Sequence, residues 1–175
     1  MQHPFQKVSS DKYLSIFLPL LSLTILLAVI MSVIPLQPDM MSFGLNSLKV
    51  IKYWDEAAKI RAAFLMGIDL FYLIVYSTTL SLACVGAIRV FETVRSPWRT
   101  IGIYIAWSQW LAGFFDIIEN FALTNILFNN INEMLPLIAK WCVIIKIILI
   151  ILGLTYIIMA GVMGIKYFGT QKNYF

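Results

Sequence analysis

Charge is scarce in this chain. Asp, Glu, Lys and Arg make up 13% of its 175 residues, against about a quarter in a soluble globular domain. A disordered chain is excluded on the same ground, since disorder needs many charges and few apolar residues. Histidine is almost missing: His3 alone is present, in an N-terminal stretch expected to be mobile. Bis-histidine haem, histidine-rich metal sites and a histidine general base are therefore not expected among the apolar segments. Two cysteines, Cys84 and Cys142, exclude a disulfide-rich module. They fall near opposite ends of their segments, farther apart than the roughly 7 Å a disulfide can bridge, and are expected as buried small hydrophobes. The chain has no Walker loop, dinucleotide fingerprint, G-x-S-x-G elbow or zinc spacing, so no cofactor and no metal centre is required. The net charge of +4 comes from basic residues scattered at segment ends, which excludes a nucleic-acid face. There is no internal repeat and no low-complexity segment.

What is present is apolar. Hydrophobic residues reach 61% and mean hydropathy is +0.85. Four runs, Tyr13 to Ile34, Ala62 to Ile88, Ile101 to Phe128 and Leu135 to Tyr167, each meet or exceed the roughly 20 residues that carry a helix across about 30 Å of hydrocarbon. The first is too long for the h-region of a signal peptide and lacks a small-residue cleavage site after it. The pattern predicts one all-α domain over residues 1–175, a polytopic integral membrane protein whose four helices form an up-down bundle in the lipid bilayer. Short second and third loops make consecutive helices antiparallel neighbours.

Orientation follows from the basic residues. With four spans both termini share a face, and that face carries Lys7, Lys12, Arg89, Arg95, Arg99, Lys166 and Lys172, against Lys49, Lys52, Lys59, Arg61 and Lys140 on the other. The positive-inside rule then predicts cytoplasmic N and C termini. The first loop, about 25 residues between Pro35 and Arg61, holds Leu45, Leu48 and Ile51 at helical spacing. It reads either as an interfacial amphipathic helix over Leu45 to Trp54 or as an extension of the second span. Pro19 should bend the first span. Gly153, Ala160, Gly161 and Gly164 form a small-residue stripe suited to helix packing or, alternatively, to contact with a second copy or a membrane partner. Trp98, Tyr104 and Trp141 are expected in the interfacial belt, and Trp107 and Trp110 in ordinary packing or, alternatively, on the pocket wall.

The informative feature is charge inside the spans: Asp69 in the second, Asp116, Glu119 and Asn120 in the third, Lys146 in the fourth. Three carboxylates oppose insertion by roughly 8 to 10 kcal/mol. Helical rise places Asp69, Glu119 and Lys146 at depths of about 12, 15 and 15 Å from the outer face, with Asp116 at about 20 Å. Asp116, Glu119 and Asn120 follow i, i+3, i+4 spacing and share one side, which Gln109 continues. Asp69, Tyr72 and Tyr76 share another. These eight residues are the predicted pocket. Lys146 either faces it or snorkels to the outer interface.

With all groups ionised the pocket would carry −2, so at least one acid is expected to be neutral or paired with a proton or cation. Three functions fit. One is a site in the outer half of the bilayer that binds or conducts protons, cations or a cationic ligand. The second is a carboxylate acid–base enzyme, or a binding protein, for a lipid or isoprenoid. The third is an accessory subunit of a larger membrane complex, in which the polar cluster only clamps helices.

Overall fold

A backbone in hydrocarbon has no water to bond, so each apolar run must satisfy its own amides and carbonyls, and the helix does so. The structure, a computed structural model, describes residues 3–94, 96–129 and 132–172, the last five of these as backbone only. Within them the order is a 3-10 turn Pro4–Lys7, then α1 Ser10–Val33, α2 Met40–Val50, α3 Glu56–Thr93, α4 Trp98–Leu127 and α5 Met134–Lys172. The described residues contain no strand. Helices α1, α3, α4 and α5 are long and apolar enough to cross a membrane. Of the basic residues that set the expected orientation, Arg95 and the side chain of Lys172 lie outside the described residues.

Local chemistry sets the ends. Asp39 accepts the Ser42 amide at 2.8 Å and Asp55 the Ala58 amide at 2.7 Å, so two N-caps start α2 and α3. Hydrogen bonds from Ser42 also hold the Asp39 carboxyl below the usual carboxylate range, which keeps it ionised at neutral pH. Helix α4 is followed by Asn129 at φ 64°, a left-handed turn that asparagine tolerates. Pro19 lies inside an unbroken α1. Residues 56–61 and 89–93 of α3 lie beyond the predicted span. At about 57 Å long, the helix exceeds the hydrocarbon thickness, and those polar turns extend past it.

Helix α4 is sandwiched between α3 and α5, which also touch each other, while α1 packs on α3 and α2 on α5 and α4. Buried positions Gly102, Gln109, Asp116 and Leu123 recur every seven residues along α4. Gly102 sits under Tyr156, Gln109 bonds the Leu149 carbonyl and Asp116 meets Lys146. The α5 partner number falls as the α4 number rises, so the pair is antiparallel. The same inversion holds between α3 and α4, where Ser81 bonds the Ala106 carbonyl and Asp69 bonds Asn120. Glycines let these helices close: a Cβ at Gly153 would lie 2.5 Å from Gln109 Nε2, and one at Gly113 would lie 3.0 Å from Ser77 Oγ.

Two apolar clusters result, one around Phe43, Trp54, Ala62, Leu65 and Ile126, the other around Cys84, Ile88, Phe91, Ala106 and Tyr156. On α3 and α4 the polar residues lie between them. Both cysteines are buried free thiols.

Two expectations are corrected. The first-loop helix starts at Met40, ends at Val50, and is separated from α3 by a turn, so it is not an extension of the second span. Its buried residues are Phe43, Gly44, Ser47 and Val50, whereas Leu48 is 41% exposed. The inward side of α2 is thus set by Phe43, Gly44, Ser47 and Val50, while Ile51 is only partly packed on the core. The reason is that Gly44, which carries no side chain, lets the backbone approach α5. The N-terminal stretch is not mobile either: His3 is fully buried against α3 and α4.

Candidate functional site

Spacing on α4 places Asp116, Glu119 and Asn120 on its inner side, at 2%, 7% and 6% exposure. Opposite them α5 delivers Lys146, whose Nζ lies 2.5 Å from Asp116 Oδ1 and 2.5 Å from Glu119 Oε2. Lys146 therefore turns inward and does not snorkel. Its ammonium donates a hydrogen bond to Asp116 and forms an ion pair with Glu119. The other Asp116 oxygen accepts the Tyr76 hydroxyl at 2.9 Å. From α3, Asp69 receives the Asn120 amide at 2.6 Å.

The structure thus brings Asp69, Tyr76, Asp116, Glu119, Asn120 and Lys146 into one network across three helices. Tyr72 packs against Tyr76 with ring centroids 5.1 Å apart and the ring planes tilted by 41°. Gln109 lies two helical turns away, bonded to the Leu149 carbonyl at 3.0 Å and to the Ile105 carbonyl at 3.2 Å, and links α4 to α5 at a different level.

Electrostatics distinguish the three acids. One ammonium serves two of them, Asp116 and Glu119. Asp69 has an amide donor but, among the described residues, no cation partner, so it is the carboxylate left over. It also lines a cavity, as Glu119 does. A hollow of about 140 Å³ is lined by Asp69, Glu119, Asn120 and Lys146 on one side and by Met31, Met40, Met41, Leu65 and Leu123 on the other. Met31, Met40, Met41 and Leu65 also line a larger vestibule of about 1020 Å³, bordered by Asp39, Tyr53, Asp55 and Arg61. A thioether and aliphatic partition therefore separates the charged hollow from the vestibule. Helix α2 completes the enclosure, with Gly44 so near that a Cβ there would lie 3.1 Å from Glu119 Oε1 and 2.7 Å from Val143 Cγ2.

Sequence reasoning missed the methionine partition and α2, because Met31, Met40 and Met41 show no periodicity that would bring them to the acids. It also missed a second buried polar group at the other end of the bundle. His3 lies edge-on to Trp107 with centroids 5.0 Å apart and is 4.9 Å from Trp110. Ser81 Oγ donates to the Ala106 carbonyl at 2.9 Å, so its contact with His3 at 3.1 Å requires His3 Nε2 to carry the proton. His3 Nδ1 then accepts the Phe5 amide. Arg89 anchors the same hook by donating to the Val8 carbonyl and lying over the Tyr13 ring at 4.9 Å.

This arrangement needs a neutral imidazole, and burial lowers the His3 pKa accordingly. The undocked hook takes up a proton near pH 6.5 while the docked one resists it, so docking is complete above that pH and weakens below it. Tryptophan fluorescence is expected to change on acidification through this window. His3→Gln, which does not titrate, is expected to remove that step.

No family model matches the chain, and no curated protein or solved structure matches it.

Proposed function

We propose that this chain is a multi-pass membrane protein, a four-helix up-down bundle with both termini cytoplasmic, that binds a proton or cation at Asp69 in the outer half of the bilayer. The excess of Lys and Arg on the terminal face supports the orientation. One observation carries the site: Asp69 lines a hollow beside Glu119 and Lys146, and that ammonium is paired with Asp116 and Glu119 and not with Asp69. An uncompensated carboxylate in this setting is expensive, and a proton, a bound cation or a cationic ligand relieves it. The vestibule connects that need to the outer side.

Asp69→Asn tests this reading, because it keeps size and polarity opposite Asn120 and removes only the charge. In detergent-solubilised protein, a cation that occupies the site stabilises the fold by about 2.7 kcal/mol at one hundred times its Kd. The expected result is that Asp69→Asn folds, melts at or above the wild-type temperature without cation, and loses the cation-dependent rise. An unchanged rise in the variant would refute the assignment.

A second reading, an acid–base enzyme acting on a lipid or isoprenoid, is favoured by one observation. The hollow pairs carboxylates with an apolar thioether wall, as a site for an amphiphile would.

A further inference from the structure

We propose that the ligand of this site is an organic ammonium ion carrying a linear aliphatic chain, seated with its ammonium at Asp69 and its chain along Met31, Met40, Met41 and Leu65 into the vestibule. This inference rests on Asp69 being the cation acceptor and names the chemical class of the cation.

The donor set selects against a metal. A hard divalent ion such as calcium takes six to eight oxygens at short range. Here Lys146 pairs with both Asp116 and Glu119, which leaves Asp69 and the Asn120 carbonyl oxygen as the free acceptors, too few for such an ion. No group of three His, Cys, Asp or Glu side chains able to hold a metal exists among the described residues. An alkylammonium asks for less. It donates up to three hydrogen bonds in separate directions, and the hollow offers acceptors for them. Among the described residues Asp69 has no cation partner, whereas Glu119, 7% exposed, shares Lys146 with Asp116.

The opposite wall selects the rest of the molecule. A hydrated inorganic ion gains nothing from thioethers and a leucine, whereas methylene groups lose water against them. At about 140 Å³ the hollow holds the charged head and a few carbons, and a longer chain must continue into the vestibule of about 1020 Å³. The shared partition is made of side chains, three of them unbranched methionines that can change rotamer to let a narrow chain through. At the far end Asp39 and Asp55 face one Arg61, a balance that attracts cations toward the opening.

The experiment is a melting series on the full chain in a non-ionic detergent at neutral pH, with methylammonium, n-butylamine, n-hexylamine, n-hexanol, sodium and calcium as probes. The expected result is stabilisation by the amines with an apparent affinity that rises up to about fourfold per added methylene, and none by n-hexanol. Met41→Trp, at a position 50% exposed and so tolerant of bulk, is expected to abolish the chain-length dependence while retaining the methylammonium response. Asp69→Asn is expected to abolish both.

Sodium or calcium acting through Asp69, with no gain from longer amines, would overturn the organic-ammonium assignment and leave the cation site standing. Chain-length dependence unchanged in Met41→Trp would overturn the placement of the chain. Absence of any cation effect in wild type would overturn this inference and the cation half of the reading it rests on.

Discussion

Lys146→Met is expected to destabilise the protein by about 3 to 5 kcal/mol, the usual cost of removing one partner from a buried ion pair. The side chain keeps its length, so packing is nearly conserved and the loss is electrostatic. Asp116, at 2% exposure, keeps the Tyr76 hydroxyl but loses its cation, and Glu119 Oε2 keeps no partner. Three carboxylates then share a layer between two apolar clusters. Reversible unfolding in mixed micelles measures the change, and a double-mutant cycle locates it. Adding Glu119→Gln to Lys146→Met should recover part of the loss, because it removes one of the stranded charges. A single variant as stable as wild type, or a double variant losing the sum of the two effects, would show that the ammonium is not holding the cluster together.

The second large effect belongs to Gly153→Leu, expected to cost about 3 kcal/mol. Its Cβ alone would lie 2.5 Å from Gln109 Nε2. Gln109 is fully buried and bonds the Leu149 carbonyl, so displacing it strands a polar side chain as well as separating α4 from α5. Gly161→Leu is the control on the same helix: nothing lies within 4 Å of a Cβ there, and its change is expected within about 0.5 kcal/mol of zero. Together the two variants divide the small-residue stripe of α5. Gly153, Ala160 and Gly164 are buried within this chain, and Gly161 faces outward. Equal losses at Gly153 and Gly161 would mean that the outward face also packs, against a second copy or a partner helix.

Much of the polar layer could be anticipated because helix geometry is strict. A separation of three and four residues must place Asp116, Glu119 and Asn120 on one side, and a constant rise converts positions of Asp69 and Lys146 into depths. Contacts between elements with no common period could not be anticipated. Lys146 had two low-energy options, an outward reach to the interface or an inward ion pair. The choice depended on α4 presenting two carboxylates at its level. The inward side of α2 could not be read from Leu45, Leu48 and Ile51, because their spacing said nothing about the space next to Glu119. Only a residue without a Cβ fits there, and Gly44 provides it. His3 lies in a short polar segment with no periodicity, and its burial follows from the aromatic space between Ser81, Trp107 and Trp110.

The amino-acid sequence alone determined four long apolar helices, their order and the costly charges placed within three of them, since hydropathy, length and helical period are properties of local chain. Tertiary structure decided which acid was left without a cation, which residues separate the hollow from the vestibule, and where the N-terminal hook docks. Those outcomes depend on distances between helices, and such distances are set by side-chain volume and by the few glycines that let backbones meet.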